Sequence, residues 1–174
     1  MILPLPAYIQ VQQPVPTPVQ AATPQPAQEV RAQFAWSYES SGGNGSGTLS
    51  LLMAPISGKL VLEIHSYGER IALLSGDASS GYRIQVPKEH TDKTVPDLAR
   101  LPLPFLPEAP SIAALMKYLE TGEGPGLSVL KRTAGVPVKL RYKGVDEKGG
   151  SILVWLTRKR WATAPPGGPP PARP

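Results

Sequence analysis

The chain contains no cysteine in its 174 residues. Disulfide frameworks, zinc–thiolate sites and thiol nucleophiles are therefore excluded. Only His65 and His90 offer imidazole chemistry, too few for an ordinary histidine metal site. No apolar run approaches the roughly 20 residues that a membrane-spanning helix needs. Catalytic signatures are missing as well: there is no Gly-x-Ser-x-Gly elbow and no Gly-x-x-x-x-Gly-Lys phosphate loop. Glu120 and Glu123 stand three apart at a helix end and read as solvated. His65 reads as a strand residue on a polar face. The chain is read as a non-enzyme without cofactor or metal. A lack of cysteine fits a reducing compartment and a disulfide-free exported protein equally.

What the chain has in excess is proline, 22 residues. Seven prolines fall in residues 1–29 and six in 162–174, and the two segments together carry only Glu29 and Arg173 as charges. Such uncharged, proline-rich composition favours extended linkers. Three parts follow: a tail over 1–29, a domain over 30–161 and a second tail over 162–174. Met1–Pro6 has neither a basic n-region nor a long apolar stretch, so it does not read as a signal peptide. The first tail reads as a natural spacer, the alternative being a chain from which a leader was removed.

Alternation with period two dominates the middle. Val30, Ala32, Phe34, Trp36 and Tyr38 form one apolar face. Ser40–Gly47 reads as a flexible turn; its Asn44-Gly45-Ser46 matches a glycosylation sequon, a weak signal. Strands are then expected over 48–54, 59–65, 70–75 and 82–86, making a five-strand meander with short turns. Residues 88–110 break the pattern, and Leu101–Pro107 is too proline-rich for helix or central strand. Ser111 is a good N-cap for a helix bearing Ile112, Leu115, Met116 and Leu119, and Gly122 ends it. A short strand over 127–130, one over 136–143, a turn over 146–150 and a last strand over 151–161 bring the expectation to about eight antiparallel strands. The expected class is mainly β with one helix: an antiparallel curved sheet forming an incomplete barrel plugged by a helix or loop lid.

One helix of about ten residues spans only about 15 Å. That is too short to cover the apolar face of eight strands. Two readings remain open: a tightly packed small barrel, or a sheet curled around an apolar cavity. Empty apolar space costs about 24 cal/mol per Å³, so a retained cavity implies a ligand. An acyl chain gains ~0.8 kcal/mol per buried methylene. The inward residues that would line such a cavity are Phe34, Trp36, Leu49, Leu51, Leu60, Leu62, Ile64, Ile84, Leu115, Met116, Leu140 and Val154.

Phe34-Ala35-Trp36, followed by Leu49-Ser50-Leu51-Leu52-Met53-Ala54-Pro55-Ile56-Ser57-Gly58-Lys59-Leu60-Val61-Leu62, resembles the Phe-x-Trp … Leu-x-Leu-x-x-Pro-Leu-Gly pattern of the LolB family. Val136–Leu140 and Ile152–Leu156 through Arg160-Trp161 resemble that family's closing hairpin, which ends in Trp. LolB is the outer-membrane receptor that accepts lipoproteins and inserts them into the bilayer. The resemblance covers most of 30–161. It implies an eleven-stranded half-barrel with a helical lid and an acyl-chain cavity, the fold shared with the periplasmic carrier LolA. It further implies a periplasmic location at the outer membrane and a carrier protein as partner. The turn Pro55, Ile56, Ser57 and Gly58 would be the membrane-insertion loop, with Ile56 in the place of the family's protruding Leu. The family's anchoring N-terminal cysteine has no counterpart here, nor does its first strand. The stretch over 122–136 is shorter than the family's.

Charge is uneven. Residues 131–160 hold nine Lys or Arg against Asp146 and Glu147, whereas residues 30–130 carry a net charge of −2. Lys139, Arg141, Lys143, Arg158, Lys159 and Arg160 form a candidate basic surface. Anionic headgroups, nucleic acid and plain solvent are its three candidate neighbours. Nucleic acid is set aside, because the basic strands show no interleaved exposed aromatics and no recognition helix is visible. The functional expectation is an acyl-chain-binding envelope protein that receives lipoproteins or lipids and delivers them to a membrane. The alternative is a non-catalytic scaffold domain held between proteins by its proline-rich arms.

Overall fold

In a computed structural model, which describes residues 29–100, 108–145 and 149–164, the alternation becomes a sheet. Strand β1 (Glu29–Ser40) buries Val30, Ala32, Phe34 and Trp36 and turns the residues between them outward. Strands β2 (Gly43–Ala54), β3 (Lys59–Ser66), β4 (Glu69–Asp77), β5 (Gly81–Val86) and β6 (Thr91–Val95) follow as a meander. Helix α1 (Ile112–Thr121) comes next, then β7 (Leu127–Thr133), β8 (Val136–Val145) and β9 (Ser151–Ala164). The nine strands form one sheet in the order β6-β5-β4-β3-β2-β1-β9-β8-β7. All pairs are antiparallel, and β6 and β7 are its two edges. The sheet is open.

Two sequence expectations need correction. The strand count rises from eight to nine because Thr91–Val95 pairs with β5 inside the stretch taken as pattern-free. This edge strand buries none of its residues fully, so it carries no apolar alternation to detect. The glycine-rich segment is not a loose tip either: Gly43–Gly47 pairs residue by residue with Ser40–Trp36 of β1. The proline-rich tails up to residue 28 and from 165, the Leu101–Pro107 segment and residues 146–148 lie outside the described residues. Strand β9 extends three residues past Trp161, to Ala164.

Glycine at position 47 has a packing reason. The β3–β4 register shifts between Ile64 and His65, and a Cβ on Gly47 would stand 1.8 Å from the His65 carbonyl oxygen. A side chain there would have to push β2 and β3 apart.

The core lies on one side of the sheet, where α1 crosses and touches β2 and β8. Ser111 caps the helix, its hydroxyl accepting from the Ala114 N–H at 3.2 Å. Ile112, Leu115 and Leu119 face the sheet. At the other end the Gly122 N–H donates to the Tyr118 carbonyl at 2.8 Å. Leu98 and Ala109 also belong to the buried cluster.

Gly47→Ala is expected to lower stability by about 1–3 kcal/mol, the range for forced overpacking, read as a lower urea midpoint. Gly42→Ala, where the nearest atom to an added Cβ is 3.7 Å away, should leave the midpoint unchanged. Equal effects of the two would refute the close approach.

Candidate functional site

The sheet's inner face gathers the residues expected to line a cavity. Phe34, Leu49, Leu60, Leu62 and Val154 have no accessible surface, and Trp36, Leu51, Ile64, Ile84, Leu115 and Leu140 are also buried. Met116 is half-buried at the margin of the same cluster. Side chains with no surface open to a water-sized sphere line no standing void. They pack against one another and against α1.

Arg158 departs from its expected place on the outer basic surface. It continues the inward series Ile152, Val154 and Leu156, and its backbone pairs with Phe34. Its Nη2 donates to the Leu119 carbonyl of α1, and its guanidinium lies 4.4 Å from the Trp161 ring centroid. Burial pulls the guanidinium below its usual pKa, with Glu120 acting in the opposite sense. Its Nε is buried without a hydrogen-bond partner among the described residues. Arg132 reaches the same helix end from β7, donating to the Thr121 carbonyl at 3.1 Å and the Gly135 carbonyl at 3.0 Å. Two cations therefore sit where the helix exposes unpaired carbonyls and the negative end of its dipole.

The Pro55–Gly58 turn joins β2 to β3 at one end of the sheet, and Ile56 at its tip is 79% exposed. The base of the turn is tied down. The Tyr82 hydroxyl donates to the Gly58 carbonyl at 2.7 Å, and burial, helped by Asp77, pushes its phenol pKa up. The Ala78 N–H reaches the Ser57 carbonyl at 3.4 Å. Gly58 has φ +64°, and a Cβ there would meet the Ala78 methyl at 2.6 Å. Ile56 is thus an apolar point on a fixed mount.

Lys139, Arg141 and Lys143 project from the outer side of β8, and Lys159 and Arg160 are exposed on β9. Lys139 stands across from Lys131 of β7, a like-charge cross-strand pair that opposes folding. None of these six residues forms a salt bridge within the described residues. Trp155, which the sequence reading passed over, emerges half-buried among them, paired with Arg141 on one side and Ser37 on the other. Among the described residues there is no cluster of three potential metal-ligating side chains and no helix long and apolar enough to cross a membrane.

No protein-family model matches this sequence, and no curated protein is similar to it. Functional reading therefore rests on the residues themselves.

The hairpin beside the Ile56 turn carries the clearest titration. The Asp77 carboxylate accepts from the Ser79 N–H at 2.8 Å, the Ser79 hydroxyl at 2.6 Å and the Ser80 N–H at 2.8 Å. The Ser79 hydroxyl bond, then the backbone bonds, lower its pKa from 3.8 to about 2. The folded value lies below the unfolded one, so its stabilising contribution is complete above pH ~4 and disappears as pH falls through about 2. The Ser79 and Ser80 amide resonances should shift with a midpoint near 2. A midpoint near 3.8 would mean the turn is not held in this way.

Proposed function

We propose that this domain shelters acyl chains between α1 and the inner face of the sheet, and passes them, or a lipoprotein bearing them, to a bacterial outer membrane from the periplasm. The sheet would then serve as a half-barrel and α1 as its lid, as the resemblance to the LolB family implies. One observation carries this reading: over a broad, buried apolar sheet face the described residues place a single short helix. Nine strands span roughly 38 Å edge to edge at the usual spacing, whereas α1 has ten residues, about 15 Å.

The packed state favours exchange over filling. Releasing Ile112, Leu115 and Leu119 into water would cost roughly 1.5–3 kcal/mol each. A dozen buried methylenes return on the order of 10 kcal/mol before the costs of binding. The two quantities are similar, so cargo and lid can replace each other reversibly, as a transfer protein requires. Ile56, worth roughly 1.5–3 kcal/mol on burial, would give a brief touch on a bilayer and not an anchor. Lys159 and Arg160, exposed on β9, would meet anionic headgroups, at about 1 kcal/mol per residue near the surface. A carrier protein is the corresponding soluble donor.

The scaffold reading has one observation in its favour. Glu29 pairs with Ala164, so the first residue of β1 and the last of β9, which adjoin the proline-rich segments in sequence, are neighbours in the sheet. Displacement of a fluorescent fatty acid separates the two. Saturable binding is expected, with Ile56→Glu leaving binding intact and abolishing transfer of cargo to liposomes. Absence of binding, with capture of a protein partner through the arms, would replace the carrier by the scaffold. Unchanged transfer by Ile56→Glu would remove the role of the turn.

A further inference from the structure

The outer face of the sheet carries a feature that acyl-chain binding leaves unused. Cross-strand register places Ser46, Ser37, Trp155 and Arg141 in one row over β2, β1, β9 and β8. The adjacent row toward the centre is Thr48, Ala35, Thr157 and Lys139, and the row toward the β1–β2 turn is Asn44, Glu39, Leu153 and Lys143. The small side chains of Ser37, Ser46 and Ala35 make a floor, above which Trp155 stands on one side. Tyr67, 93% exposed at the β3–β4 turn, stands on the other. Between them is an open depression of about 490 Å³ bordered by Glu39, Asn44 and Lys139. That volume falls within the roughly 300–1,000 Å³ of small-ligand clefts.

We infer that this depression binds an acidic polysaccharide. A pyranose ring has apolar C–H faces that pack on an indole or phenol ring, which Trp155 and Tyr67 present. Its hydroxyls need paired donors and acceptors, which Glu39, Asn44 and the floor serines supply. Sugar carboxylates need cations. Lys139 borders the depression, and Arg141 and Lys143 continue along the strand at the ~6.8 Å repeat of alternate residues, with Lys131 across from Lys139. Anion binding also relieves the uncompensated Lys131–Lys139 repulsion.

The shape and charge pattern disfavour two other polyanions. A flat bilayer cannot enter a concavity. A nucleic-acid strand needs a succession of stacking platforms along a basic groove, whereas here two rings, Trp155 and Tyr67, flank a single depression. The site lies on the face opposite α1 and is independent of lipid transfer.

Titration calorimetry of the full chain with an alginate hexasaccharide tests this. Saturable binding that weakens with added salt is expected, with no heat from a neutral dextran oligomer of the same length. Trp155→Ala and Arg141→Glu should each weaken binding tenfold or more. Tyr67→Ala, at an almost fully exposed turn, should weaken it severalfold without risk to folding. Ile56→Glu should bind the hexasaccharide like the parent chain. The inference is overturned if alginate does not bind, or if Tyr67→Ala and a folded Trp155→Ala bind as tightly as the parent. Tighter binding of an oligo-dT strand or of anionic phosphatidylglycerol vesicles through the same residues would also overturn it.

Discussion

The interaction on which the rest depends is the burial of one apolar sheet face, over which the described residues place a single short helix. A barrel removes this problem by closing, because its face becomes its own interior. Here β6 and β7 remain separate edges, so the inner residues must be covered by something other than sheet. The described cover is α1 with Leu98 and Ala109, and its apolar contribution comes from few side chains. Polar bonds supplement it at one end of α1, where Arg158 and Arg132 of the sheet reach its last carbonyls. A lid held by a few side chains and end contacts can leave without dismantling the sheet, whose ladders do not pass through it. The proposed exchange of helix and cargo relies on that separation between the hydrogen-bonded sheet and the helix over it.

Period two made the inner face legible. Phe34, Leu49, Leu62 and Val154 were assigned inward from alternation alone, and they are buried. The helix was equally readable, because Ser111, the i, i+3, i+4 apolar spacing and Gly122 all point to the same segment. The failures have separate causes. Thr91–Val95 exposes polar side chains on both faces, as an edge strand can, so no periodicity marks it. Gly43–Gly47 carries the residues of a turn, but at Gly47 the lack of a side chain serves the close approach to His65 of β3. Composition recorded what those glycines permit and was silent on which neighbour requires it.

Arg158 shows a different kind of error. Its position two residues beyond Leu156 places it in the inward series, and the phase was available from the sequence. Counting it among the nearby cations of β8 and β9 gave weight to charge over alternation. The structure resolves the conflict through α1: an arginine can face a core when its head meets backbone carbonyls and its plane meets an indole. Leu119 supplies the carbonyl and Trp161 the indole. The sequence could not reveal those partners, because Leu119 is 39 residues away and contributes only its backbone.

The outer face follows from the same pleat. Once β1 directs Phe34 and Trp36 inward, Ala35, Ser37 and Glu39 must face outward, and the antiparallel register brings Trp155 beside them. Trp155 was invisible as a surface aromatic because it sits in a run, Ile152–Leu156, that reads as uniformly apolar. Only alternation distinguishes it from Val154 and Leu156, which are buried on the other side. Its placement revises the argument from absent aromatics: the basic strands do carry an outward indole, paired with Arg141. What then decides among polyanions is the company of that indole. A single carboxylate, an amide and small hydroxyls around it favour a ligand rich in hydroxyl groups over one rich in phosphates. The two faces thus differ in chemistry, with buried apolar side chains under α1 on one side and an indole among hydroxyls, an amide and charged groups on the other.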